Sequence, residues 1–135
     1  MRLMGVQLKK NSIDLGIVAK DQDAMAAFYG EVLGFEEREM MKAPGMRIRP
    51  FACGDTVIKI CSMKNQPEAN PAPGGPAGGT GMRYFTMWVA NLDEIVARAE
   101  AANATIAMQT DAIPGIKMAM IEDPDGNWLE FVQTN

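Results

Sequence analysis

The 135-residue chain contains no histidine. That absence removes every histidine-based triad, every histidine general base and every imidazole metal ligand. Any chemistry must come from carboxylates, Lys, Arg, Tyr or Cys. Cysteine is scarce too: only Cys53 and Cys61 occur, with no CxxC spacing. This excludes a disulfide scaffold and a zinc ribbon, and both thiols read as small, half-buried apolar residues. No apolar run approaches the length that spans a bilayer. The opening MRLMGVQLKKNS is basic but lacks the apolar stretch of a signal peptide. Thirteen Lys and Arg stand against seventeen Asp and Glu, a net charge of −4. Nucleic-acid binders more often present a basic face. The expectation is a single cytoplasmic domain over residues 1–135, with neither nucleic acid nor membrane as partner.

What is present is a repeated order of elements. SIDLGIVA alternates as a strand, with Ile13, Leu15 and Ile17 on one face. Asp21 is placed to cap a helix whose apolar residues, Met25, Phe28, Tyr29, Val32 and Leu33, share a face. Gly34 occupies the left-handed stop position. FEEREMM, MRIRPFA and TVIKICS then read as three strands, with Pro44-Gly45 and Gly54-Asp55 between them. The second half repeats this order. RYFTMWVA is a strand, Asn91 and Glu94 form a capping box, and Leu92, Ile95, Val96 and Ala99 make a buried face. Asn103 takes the stop position. Strands around TIAMQ, KMAMIE and NWLEFVQ follow, the last hairpin turning at Asp125-Gly126. The copies are offset by about 70 residues, and this order carries more weight than any single motif. The units are residues 12–62 and 82–135. Residues 63–81, rich in Pro, Gly and Ala, form either a linker or a lid over a pocket.

Glu130 stands out. It lies in the middle of the apolar strand WLEFV, and an ionised group there is costly unless it faces water or a partner. Twelve methionines are scattered as adaptable core or pocket lining. PGGPAGG lacks the Lys-Ser/Thr ending of a phosphate loop. DPDG lacks the oxygen-rich run of a calcium loop and reads as a turn.

IDLGIVAKDQDAMAAFYGEVLGFE, FTMWVANLDEIVARAEAANATI and MIEDPDGNWLEFVQ, taken together and in this order, resemble the vicinal oxygen chelate superfamily. That superfamily groups glyoxalase I, bleomycin-resistance proteins, fosfomycin-resistance proteins and extradiol dioxygenases. The resemblance spans residues 12–133. It implies an α+β fold of two tandem βαβββ modules whose mixed sheets form a cup, and a homodimer. In metal-dependent members, four side chains point into the cup from the first and last strands of each module. Counting seven residues back from Asp21 and Asn91 places Asp14 and Tyr84 at the first-strand positions. Lys59 and Glu130 fall at the last-strand positions. Only Glu130 matches the usual carboxylate ligand; Asp14 and Tyr84 stand where histidines are usual.

With an ammonium at Lys59, the set is a poor one for a divalent metal, because Lys offers no acceptor and repels a cation. The expectation is therefore no cofactor; a metal, if bound, would use Glu130 and Asp14. Without metal, Lys59 could neutralise Asp14 and Glu130 in a closed network with no chemistry. Alternatively, Glu130 serves as base next to a substrate carbonyl, Lys59 holds the oxyanion, Tyr84 acts as hydrogen-bond donor or acid, and Asp14 is the orienting partner or a second base. The reading is a metal-independent isomerase or lyase. Its alternative is a non-catalytic protein that sequesters a small molecule. Trp88 shares the Tyr84 face and is a wall candidate. Arg47 and Arg49 are candidate rim anchors for an anionic ligand.

Overall fold

The computed structural model describes residues 5–135. Among the described residues, nine strands and two α-helices follow the repeated order. The first module holds β1 (Leu15–Val18), α1 (Gln22–Ala27), β2 (Glu36–Glu37), β3 (Met41–Ala43), β4 (Met46–Cys53) and β5 (Thr56–Met63). The second holds β6 (Tyr84–Trp88), α2 (Leu92–Ala101), β7 (Ile106–Thr110), β8 (Ile116–Glu122) and β9 (Trp128–Thr134). Sheet one runs β1-β5-β4-β2, with β3 also on β4; sheet two runs β6-β9-β8-β7. β1 is parallel to β5 and β6 to β9, and all other pairs are antiparallel. Both sheets are therefore mixed, in an α+β fold.

Local chemistry explains the boundaries. The Asp21 carboxylate accepts the Ala24 N–H at 3.0 Å and starts α1. After Ala27 the helix widens into a π-turn over Phe28–Val32. It stops at Gly34, whose φ of 78° suits a residue without Cβ. Asn103 closes α2 in the same left-handed conformation, φ 59°. Two expectations are corrected. FEEREMM is not one strand but two short ones, both laid on β4. The Asn91 side chain caps no backbone N–H: it donates to Glu94 at 3.0 Å, while the Leu92 N–H is satisfied by Gln133 of β9 at 2.8 Å.

One core serves both modules. It joins Phe51, Ile58 and Ile60 of sheet one to Ala119, Ile121, Leu129 and Phe131 of sheet two, with Met25, Phe28 and Tyr29 of α1 and Val96 and Ala99 of α2. Both sheets thus turn their helix-bearing sides toward the shared interior. Polar ties cross between the modules. Buried Tyr29 donates its hydroxyl to buried Asp123 at 2.9 Å. Arg98 of α2 donates to the Glu31 carbonyl at 2.7 Å. No helix among the described residues is long and apolar enough to cross a membrane.

Candidate functional site

Strand pairing shows which side chains share a face in each sheet. In β9, Leu129 and Phe131 enter the core. Glu130 therefore points the other way, out of the molecule. Its partner across the ladder is Thr86, whose hydroxyl donates to the Glu130 carboxylate at 2.6 Å. Tyr84 pairs with Trp128 and Trp88 with Val132 on this same face. Tyr84 is 49% exposed and Trp88 71% exposed. Half-buried Met118 and buried Met120 lie on the same side, opposite Val132 and Glu130. The result is a partly exposed aromatic surface around one carboxylate.

The connection between modules folds onto this surface. Gly75 is buried against the Trp128 indole, so closely that a Cβ there would lie 2.3 Å from Trp128 Cδ2. Arg83 fastens the loop by donating to the carbonyls of Gly75 at 2.7 Å and Ala72 at 2.6 Å. Trp128 in turn donates its indole N–H to Glu122 at 3.0 Å. This segment forms one wall of the Glu130 face.

The equivalent face of sheet one carries Lys59, which stands beside Gly16 in the ladder. Lys59 makes no ion pair among the described residues. Asp14 precedes β1 and is already engaged: it accepts the Lys10 ammonium at 2.6 Å and the Val57 N–H at 2.8 Å. The bond from Lys10, then that from the Val57 N–H, holds its carboxyl below the usual range. The expected network of Lys59 with Asp14 and Glu130 does not form. The physical reason lies in the packing: both sheets use their helix sides for the common core, so the Lys59 and Glu130 faces both look away from it. No hydrogen bond or ion pair among the described residues joins Asp14 or Lys59 to Tyr84 or Glu130.

The rim arginines sit elsewhere. Arg49 is the ladder partner of Ile60 and Arg47 of Ser62, which puts both on the α1 side of sheet one, opposite Lys59. Arg49 is spent on Glu37 at 2.7 and 2.9 Å and on Asp23 at 3.0 Å. Arg47 meets only the Met40 sulfur, at 3.7 Å. Counting along the chain missed Thr86 and undervalued Trp128. The signal was available: Trp128 lies two residues before Glu130, hence on its face, and a parallel pairing of β6 with β9 aligns Thr86 with Glu130. As a metal site the set is unsuited, since Lys59 is a cation and Asp14 already binds one. No three His, Cys, Asp or Glu side chains among the described residues come together as a ligand group.

The comparisons with known proteins fit this architecture. Residues 12–131 match the family model for the Glyoxalase/Bleomycin resistance protein/Dioxygenase superfamily. A glyoxalase family protein from Bacillus cereus superimposes with a TM-score of 0.82 at 15% identity, over 98% of this chain and 99% of that one. TnmS3, an antibiotic binding protein from Streptomyces sp. CB03234, gives 0.70 at 19% identity, over 96% and 100%. A lactoylglutathione lyase from Agrobacterium tumefaciens gives 0.64 at 26% identity, over 90% and 92%. The comparison with curated proteins gave no match.

Proposed function

We propose that this chain, which belongs to the glyoxalase/bleomycin resistance protein/dioxygenase superfamily, binds a small apolar or aromatic molecule on the Glu130 face of sheet two. A second copy would complete the site by laying its own Lys59 face opposite, in a homodimer with two equivalent cups. The observation that carries this reading is the open face itself. Tyr84 and Trp88 hold large rings in water on an edge strand, beside a carboxylate oriented by Thr86. Exposed rings in such a row mark a binding surface more often than a solvated one. The likeness to an antibiotic binding protein supports sequestration as the use of such a face.

The donor set argues against a metal-assisted step. The four positions supply two carboxylates, a phenol and an ammonium, and one carboxylate already pairs with Lys10. The reading is therefore metal-independent. A catalytic variant of it is favoured by one observation: among the described residues Glu130 bonds only to Thr86 and Lys59 makes no ion pair, so both keep capacity for a substrate. Glu130 would take a proton beside a carbonyl, and Lys59 of the partner subunit would hold the oxyanion.

The test is a fluorescence titration with a panel of planar aromatic probes, alongside sedimentation to fix the mass in solution. Trp88→Ala should weaken binding about tenfold, the worth of roughly 1.4 kcal/mol of lost contact. Unchanged affinity in Trp88→Ala rules out this face. A single-chain mass at every concentration removes the shared cup. Glu130→Gln then separates the two uses: a catalyst loses turnover and keeps its ligand.

A further inference from the structure

We propose that a recess at the far end of sheet one, with Lys42 and Arg47 on the side opposite Lys59, binds a small, multiply charged oxyanion of the phosphate-ester class. Lys42 stands directly across from Arg47 in the β3–β4 ladder, and Arg47 directly across from Ser62 in the β4–β5 ladder. Lys64 follows two residues after Ser62, and its N–H donates to the Gly45 carbonyl at 2.9 Å. These four residues line one recess of about 540 Å³, together with Ala43, Gly45, Met46 and Met63.

Three cations therefore share one hollow, and none forms an ion pair among the described residues. This is not for want of acids. The chain carries four more acidic than basic groups, and Lys10, Arg38, Arg49 and Lys117 all have carboxylate partners. Like charges set directly opposite across a ladder oppose each other. An anion seated between them would turn that repulsion into attraction. The groups suit an oxyanion chemically. Arg47 spends only one nitrogen, on a weak sulfur acceptor, which leaves a planar fork for two parallel bonds. The two ammonium groups act as mobile point charges, and the Ser62 hydroxyl is a further donor.

Three positive charges call for at least a dianion, and a phosphate monoester carries nearly two negative charges near neutral pH. A small free molecule fits better than an extended polyanion. The site is a recess, and the rest of the acidic surface would repel a nucleic acid or an anionic membrane. Because Lys42, Arg47 and Ser62 lie on the face opposite Lys59, this site is separate from the aromatic surface.

Calorimetric titration with inorganic pyrophosphate at low ionic strength tests the proposal. Saturable binding of one ion per chain is expected, weakening as salt is added. Arg47→Gln and Lys64→Gln should each weaken it about tenfold, the scale of one charge-assisted hydrogen bond. Lys117→Gln, which removes an equal charge on sheet two, should leave it nearly unchanged. All three residues are on the surface, and thermal melts of each variant confirm folding. Absence of saturable binding in the wild type overturns the site, as does an equal loss in all three variants. Sedimentation with phosphatidic acid vesicles is the second arm: vesicle binding without pyrophosphate binding would overturn the small-molecule occupant in favour of a lipid headgroup.

Discussion

Gly75→Ala is the sharpest perturbation of the wall over Trp128. Gly75 has φ 55°, and its added Cβ would meet Trp128 Cδ2, Cε3 and Cε2 at 2.3, 2.5 and 2.6 Å. Holding the loop in place carries two costs: about 1–2 kcal/mol for a left-handed alanine and about 1–3 kcal/mol for overpacking a rigid ring. The loop has another way out, which is to lift off the indole. That forfeits the two Arg83 bonds to Ala72 and Gly75 and uncovers part of the ring. Hydrogen bonds from a charged donor contribute about 1.5–3 kcal/mol each when buried, less on the surface. The cheaper route sets the observed loss, so we expect a destabilisation of about 2 kcal/mol. The chain has two tryptophans, Trp88 and Trp128. In a Trp88→Phe background, emission reports Trp128 alone. Urea unfolding should show the stability loss, and the emission should shift to the red as the indole is wetted. Amide exchange over residues 72–78 should quicken. Stability within about 0.5 kcal/mol of the parent, the usual scatter of a surface change, together with unchanged emission, would refute the contact.

Three further outcomes are expected. Tyr29→Phe removes the hydroxyl that serves buried Asp123 and ties the modules together. Asp123 keeps donors from Asn127 and the Asp125 N–H, so the loss should be about 1–2 kcal/mol, read by chemical denaturation. Glu37 has its carboxyl held below the usual range by the hydrogen bond from Arg49. Its contribution is present above the unfolded pKa and is lost as pH falls through the depressed folded value. Stability curves measured downward from pH 5 should therefore be flatter on the acid side in Glu37→Gln, and an identical slope would remove the pair from the balance. Under the proposed dimer, Lys59→Glu should set like charges against Glu130 of the partner subunit and favour the single chain. Adding Glu130→Lys should restore the dimer mass in sedimentation, and a Lys59→Glu dimer as tight as the wild type would separate these faces.

The elements were legible where local chemistry decides them. Turn residues bounding apolar runs located β4, β5, β8 and β9, and left-handed stops at Gly34 and Asn103 closed both helices because backbone sterics act at a single residue. What failed needed a distant partner. The start of α2 is satisfied by Gln133, forty-one residues away, so Asn91 was credited with a role held by another strand. FEEREMM lacks alternation, and only the register on β4 shows where Glu36–Glu37 ends and Met41 begins. Arg49 read as a free anchor because nothing local announces that Glu37 and Asp23 will close on it.

The candidate site was half legible for a deeper reason. A period of two residues tells which side chains share a strand face. It does not tell which faces meet. Lys59 and Glu130 occupy the same place in the two modules, each in the last strand beside the first-strand residue Gly16 or Thr86. Equivalent positions usually carry similar residues when each module works alone. Here they carry opposite charges, and each projects from a sheet whose other side is consumed by the common core. Two such faces cannot meet within one chain while both helix sides pack inward. In the proposed homodimer the two faces would be brought together from different chains, Lys59 of one opposite Glu130 of the other, and a two-fold arrangement would close on itself. The inversion of charge across the internal repeat is what motivates the proposed pairing. No single motif records that inversion, and it became visible only when the two ladders were aligned.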